Sequence, residues 1–341
     1  MRQFKLCHAG SLVWPWSVVL LLLLTVLTVS SNSADNTDIE QNVATFSIVA
    51  RDSATGELGV AVASRFFAVG SVVPWAKAGV GAVATQAYAN TTFGPRGLDL
   101  LSLGAGPDEA LQVLLGSDDK PDRRQVGIVS ADGRSATYTG EGCLAWAGGR
   151  SGPNYAVQGN ILAGEAVVTA MEKAFLETSG TLADRMYAAL VAGEENGGDS
   201  RGKQSAALLV VKKGAGYGGY DDRAIDIRVD DSPEPFKELG RILNIAQMNY
   251  SWNEAWTLFT QGQYDEALPY MEHASELAPD YGEVWYDLAV IRLAAGQKQE
   301  AIDALKQAFL FNPKLKAAAS DDTDLDALRD DPEFQKLISA K

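Results

Sequence analysis

The sequence predicts an α/β protein, a four-layer α/β/β/α sandwich, followed by an all-α domain of tetratricopeptide type. Three observations carry that prediction. Between residues 45 and 231, short β-rich runs come in pairs and alternate with pairs of amphipathic helices. Two sheets with helix pairs outside them bury all of those apolar faces at once. Near the end of that region Ile225, Ile227 and Val229 alternate with Asp226, Arg228 and Asp230, the period of a strand with one wet face. Beyond it, Gly262 and Gly296, Ala267 and Ala301, Ala274 and Ala308, and Pro279 and Pro313 each recur at an interval of 34 residues, the tetratricopeptide period.

The chain opens with a leader pattern. Arg2 and Lys5 give a positive start, Val18 to Val29 is apolar apart from Thr25 and Thr28, and Ser30 to Ala34 offers small residues for cleavage. Residues 1–34 are therefore expected to be a signal peptide, and the mature protein to be exported, periplasmic or extracellular. The alternative is an uncleaved anchor, because Trp14 and Trp16 lengthen the apolar stretch; either way the membrane is met only through the leader.

The first domain is expected over residues 43–232. Thr45 to Arg51 and Leu58 to Ala63 form a hairpin around Asp52-Ser53-Ala54-Thr55-Gly56, and Val72 to Trp75 and Gly79 to Gln86 give two further strands. Helices follow over Gly97 to Leu103 and Asp108 to Leu115, the second entered through Gly106-Pro107-Asp108. Gln125 to Ser130 and Ala136 to Thr139 make a second hairpin, and Tyr155 to Ile161 another strand. Gly164 to Glu177 shows one apolar helical face, with a second helix over Leu182 to Glu194. Gln204 to Val211 and Ala224 to Val229 close the domain as strands.

Ser232-Pro233-Glu234-Pro235 marks the boundary, with a linker or connecting helix over 233–248 and the repeats over 249–341. Trp285, Leu288 and Ala289 fit the first helix of a repeat, and Ser251, Glu254 and Ala255 occupy the same place one period earlier. The segment from Lys314 reads as a cap. Two repeats are fewer than the three that stand alone, so they are expected to pack on the first domain or pair with another copy, as a homo-oligomer.

Charge and cysteine content narrow the function. Net charge is −15, and residues 232–341 carry 19 acids against 10 bases, which argues against nucleic acid and anionic lipid as partners. Cys143 is the one cysteine outside the leader, so no intrachain disulfide is expected. No cofactor or metal is expected either: Asp221, Asp222, Asp226, Asp230 and Asp231 lack calcium-loop spacing, and Gly214 to Gly219 lacks the helix that follows a phosphate loop. Between Thr45 and Asp231 there is no histidine. A serine or cysteine nucleophile with a histidine base, and the usual catalytic zinc, are thereby removed from that domain. A threonine with a liberated backbone amine remains, since an α-amine titrates near pH ~8 and can take the hydroxyl proton.

Several runs resemble one family. They are Thr45-Phe46-Ser47-Ile48-Val49-Ala50-Arg51, Val60 through Gly70 with Ala63-Ser64-Arg65-Phe66-Phe67, Ala84-Thr85-Gln86-Ala87, Gly94-Pro95-Arg96-Gly97-Leu98, Gln158-Gly159-Asn160, Gly202 through Leu208, and Asp222-Arg223-Ala224-Ile225-Asp226. Together they look like the bacterial domain of unknown function 1028, over more than half of the chain. That family is grouped with the N-terminal-nucleophile hydrolases, so the resemblance implies their sandwich fold and a nucleophile at the first residue of the first strand. Here that position is Thr45.

Proteasome-like members also hold a strand lysine about thirty residues later, whose charge keeps the amine basic. Lys77, 32 residues after Thr45, matches it. Where those members place an acid at the end of the second strand, this chain has Ala63, Ser64 and Arg65. Ser64 joins the candidate set, and Asn160 is a candidate oxyanion donor. The ordinary alternatives are a strand threonine, a solvated lysine and a buried asparagine holding backbone. A free amine at Thr45 further requires a cut between Ala44 and Thr45, about ten residues past the leader's end. The polar run Asp199, Arg201, Lys203, Gln204, Ser205 is read as a solvated loop. The implied function is hydrolysis of a small amide or peptide, with a protein or peptide partner held at the repeats; the alternative is an inactive fold that binds through the repeats alone.

Overall fold

A computed structural model describes residues 45–339. The leader expected over 1–34 lies outside the described residues. Among the described residues no helix is long and apolar enough to cross a membrane.

Two antiparallel sheets make the centre of the first domain. The larger has six strands in the order β10-β9-β2-β1-β8-β7: β1 (Thr45–Arg51), β2 (Leu58–Ser64), β7 (Gly148–Gly152), β8 (Tyr155–Asn160), β9 (Ser205–Val211) and β10 (Arg223–Val229). The smaller has four, β3 (Pro74–Lys77), β4 (Gly81–Ala87), β5 (Arg124–Ser130) and β6 (Ser135–Thr139), paired in sequence order. Helices α1 (Phe93–Ser102) and α2 (Pro107–Gly116) cover the outer face of the smaller sheet, and α3 (Glu165–Glu177) and α4 (Leu182–Glu195) cover that of the larger. The layers are thus helix pair, sheet, sheet, helix pair.

The alternation of side chains along each strand sorts the core into three layers. On β1, Phe46, Ile48 and Ala50 face α3 and α4, where they meet Met171, Phe175, Met186 and Leu190. Val49 points the other way, into the space between the sheets, with Val60, Val62, Ala84 and Val129. Val83, Val126 and Ile128 face α1 and α2. One strand had no signal in the sequence: β7 reads Gly148-Gly149-Arg150-Ser151-Gly152, and as an edge strand with a largely exposed surface it needs no apolar alternation.

The domain boundary is a helix rather than a loose linker. Pro235 sits at the first turn of α5 (Pro235–Thr260), where its missing N–H costs nothing. The first half of α5 lies on the larger sheet through Phe236, Leu239 and Leu243, and its second half enters the repeat core through Met248 and Ala255. The Phe236 ring stacks on Phe46 at 6.2 Å, so α5 starts against the residue next to Thr45. With α6 (Tyr264–Leu277), the end of α5 makes the first repeat; α7 (Gly282–Ala294) and α8 (Lys298–Phe311) make the second. Gly262 and Gly296, one period apart, both adopt left-handed backbone (φ +77° and +80°) at the turn between the helices of a repeat. The cap consists of α9 (Leu315–Asp321), a 3-10 segment (Thr323–Leu328) and α10 (Pro332–Ser339), which seal the far end with Leu325, Leu328 and Phe334.

Candidate functional site

Thr45 is the first residue of β1, and its neighbours are fixed by strand register. It lies opposite Asn160 on β8 and Ser64 on β2, and Ser64 lies opposite Ser205 on β9. One polar row, Asn160–Thr45–Ser64–Ser205, therefore crosses four strands on the face turned toward the smaller sheet. All four residues are buried. The Thr45 hydroxyl donates to Ser64 Oγ at 3.3 Å, and Ser205 accepts from the Val69 N–H and donates to the Phe66 carbonyl. Ser205 thus shapes the loop that leaves β2.

Below this row lies a network that the amino-acid pattern did not disclose. The space between two sheets is normally apolar, yet three glutamines meet there. Gln86 of β4 donates to Gln125 Oε1 (2.8 Å), the Thr45 carbonyl (3.3 Å) and the Gln158 carbonyl (3.4 Å), and accepts from Ser47 Oγ (2.6 Å). Gln158 of β8 donates to Ser47 Oγ at 2.7 Å. Gln125 of β5 donates to the Gly159 carbonyl at 2.7 Å and Thr139 Oγ1 at 2.9 Å, while accepting from Asn160 Nδ2 at 2.9 Å. Gly127 makes room for it: a Cβ there would stand 2.2 Å from Gln158 Oε1. Buried amides are tolerated when their groups are matched in this way, and the low dielectric strengthens each bond.

Asp199 lies beside the end of β2. Its carboxylate is almost fully buried, accepts the Arg65 N–H at 2.9 Å one residue beyond Ser64, and is paired with Arg201 at 2.9 Å. The expectation of a solvated loop over residues 199–205 is thus corrected at Asp199 and Ser205, because folding of this loop against β2 uses both as backbone anchors. Arg201, Lys203 and Gln204 keep more exposure.

Lys77 is not part of this assembly. It pairs with Gly81 at one end of β4, whereas Gln86, the residue that touches Thr45, is at the other. Five residues of strand separate the two, roughly 17 Å at the usual rise. Its side chain also leaves on the outer face, where the ammonium donates to Ser102 Oγ of α1 at 3.3 Å. Sequence distance matched a lysine to Thr45, but strand register and face place it elsewhere.

Cys143 is placed by its surroundings. Burial pushes the Cys143 thiol up from its ordinary range, opposite to what a reactive thiolate needs. Among the described residues no group of His, Cys, Asp or Glu converges on a metal-sized point.

Within this geometry a model of the family of unknown function DUF1028 matches residues 45–239, so the matched region begins on Thr45. The chain belongs to the DUF1028 family. A tetratricopeptide-repeat model matches residues 258–320. Among solved structures, protein SPO2555 from Silicibacter pomeroyi, described as DUF1028, is 29% identical, with a TM-score of 0.54 over 60% of this chain and 89% of its own. No curated protein matches the chain.

Proposed function

We propose that the DUF1028 domain is an exported amide-bond hydrolase of the N-terminal-nucleophile type, acting in the periplasm or outside the cell, with the repeats holding a protein or peptide partner. The observation that carries this reading is the position of Thr45, first in β1 and in register between Asn160 and Ser64. A cut before Thr45 frees its α-amine, which titrates near pH ~8 and takes the proton as the hydroxyl attacks a substrate carbonyl. Asn160, whose Nδ2 donates to Gln125 beside Thr45, is the side-chain amide proposed to meet the developing oxyanion. The amine then returns the proton to the leaving nitrogen, and water hydrolyses the ester left on Thr45. Ser64, within hydrogen-bond distance of the nucleophile, orients its hydroxyl. Lys77 has no role.

Thr45 is fully buried in the uncut chain, so the reading requires that the same cut opens its hydroxyl to substrate. The test is intact-mass analysis of the exported protein, combined with release of amine from a panel of small amides and dipeptides. A chain starting at Thr45 that is active, and inactive as Thr45→Ala, supports the reading. A mature protein that retains residues before Thr45 and performs its function overturns it.

A second reading is favoured by the closure of the glutamine network around the fully buried Thr45. The fold then acts as a binding protein through its repeats. Under that reading Thr45→Ala is silent, while Trp285→Ala, on the second repeat, abolishes function.

A further inference from the structure

A sizeable hollow is at the other end of the sheet from Thr45, where the first domain meets the repeats. It encloses about 660 Å³ and is walled by the β1–β2 hairpin, β9, β10, α5 and α6. That volume lies within the range of small-molecule sites, which favour domain junctions. Its floor is apolar, made of Val210, Ala224 and Ile225 on the sheet with Leu182 beside them, and the rings of Tyr250 and Tyr270 line the wall formed by α5 and α6.

Into this hollow the sheet places one acid and one base side by side. Leu58 pairs with Val211, so the next antiparallel step sets Glu57 opposite Lys212. Alternation puts both side chains on the outer face, with Val210 and Ile225. Residues opposed in this manner have Cβ atoms about 5 Å apart. No ion pair within 4.0 Å occupies the Lys212 ammonium among the described residues. Glu254, one turn beyond Tyr250 on α5, is near enough to feel the same ammonium. Burial pushes the carboxyls of Glu57 and Glu254 up, so both gain from a cation brought beside them. Two other polar groups at the rim, Asp52 and Gln247, are already committed. Asp52 caps its own turn and meets Arg185, and Gln247 donates to Thr181 and Asp184.

We propose that this junction hollow binds a free α-amino acid with a large apolar side chain, its carboxylate on Lys212, its ammonium on Glu57 and its side chain over Val210, Ile225 and Tyr250. The spacing selects the class. An α-amino acid carries its two charges on one carbon and can meet an acid and a base on adjacent strands at once, whereas the ends of a longer zwitterion overshoot them. Because α5 and α6 form one wall, occupancy ties the repeats more firmly to the sheet and raises the stability of the whole chain.

The test uses the full-length protein and isothermal titration calorimetry at neutral pH with L-phenylalanine, phenethylamine and 3-phenylpropanoate, alongside thermal melts. The expected result is binding of L-phenylalanine at least tenfold tighter than either one-ended analogue, with a rise in Tm. Lys212→Met brings L-phenylalanine down to the level of phenethylamine, and Glu57→Gln brings it down to that of 3-phenylpropanoate. Circular dichroism checks that both variants are folded, and Thr45→Ala, remote from the hollow, binds like the parent. Equal affinity for all three compounds overturns the proposal, as does no binding at millimolar concentration or indifference to both substitutions. The outcome is independent of any cut before Thr45.

Discussion

The side-chain amide of Gln86 donates to the Thr45 carbonyl at 3.3 Å, so the first residue of the larger sheet is held by a side chain of the smaller one. The same Gln86 nitrogen reaches Gln125 and Gln158, and its oxygen accepts from Ser47. Replacing it with leucine leaves Ser47, Gln125 and two backbone carbonyls short of a partner in the buried space between the sheets. Buried polar groups left unmatched cost about 1–3 kcal/mol each, and with partial relaxation Gln86→Leu is expected to lose roughly 3 kcal/mol. Urea unfolding measures it. A loss below about 1 kcal/mol shows that the network does not hold the sheets together.

Gly127 is expected to be intolerant for a geometric reason. Its neighbour is an amide in a network rather than a flexible chain end, so the 2.2 Å approach of an added Cβ to Gln158 Oε1 cannot be relieved by a rotamer change alone. Gly127→Ala should cost about 1–3 kcal/mol as overpacking, plus the bonds that Gln158 gives up. Gly56, a turn glycine with open space around it but φ +76°, makes a useful comparison, because its alanine variant suffers only from backbone strain.

Lys77→Met should be close to silent. The ammonium is exposed and donates a 3.3 Å bond to Ser102. Surface groups of this kind contribute within about 0.5 kcal/mol. If an amidase activity is found, its pH profile should be unmoved in this variant. A shift of the basic limb would return Lys77 to the site and require a rearrangement of β3.

How much was legible follows from which physical signals are local. Strand alternation, turn residues and the 34-residue period are local, and they gave both sheets, the helix pairs, the repeats and the cap. Thr45, Ser64 and Asn160 were singled out separately, and strand register brings them into one row. The glutamine network was invisible because Gln86, Gln125 and Gln158 are far apart in sequence, and a glutamine in a strand looks like a solvent-facing residue. Lys77 was misplaced because a count of residues says nothing of which face of which sheet it reaches. Asp199 was read as solvated since its burial depends on Arg65, 134 positions away.

Asp287 gives the repeats a pH response. Burial raises its carboxyl above the ordinary value, opposed by the indole N–H groups of Trp256 and Trp252, both of which donate to Oδ2 at 2.7 Å. The folded pKa thus lies above the unfolded one, and in the window between them the native state holds a proton that the unfolded state has released. Stability contributed by this group falls as pH rises through that window. Asp287→Asn keeps an acceptor oxygen but does not titrate. It should equal or exceed the parent in stability at neutral pH, and lose that advantage as pH drops to about 4. Asp287→Ala should be worse at every pH, because two indole donors lose their acceptor. Urea unfolding of all three proteins from pH 7 to pH 4 decides, and an advantage of Asp287→Asn that grows on acidification contradicts the assignment.

The last prediction concerns α5, the one helix shared by the sheet core and the repeat core. Because its backbone is continuous from Pro235 to Thr260, neither core can unfold without fraying the other, and the parent chain should melt as one transition. Asn249 is exposed and lies between the two anchored halves. A proline there removes the hydrogen bond to the Ile245 carbonyl and clashes with it, at a cost of about 3 kcal/mol or more, without touching either core. Asn249→Pro should therefore split the calorimetric peak into two, the lower from the repeats, which with two units and a cap are the smaller body. A single peak shifted down would mean that the contacts around the junction hollow, rather than the helix, carry the coupling. Where the peaks do split, the amino acid proposed for that hollow should bring them back together.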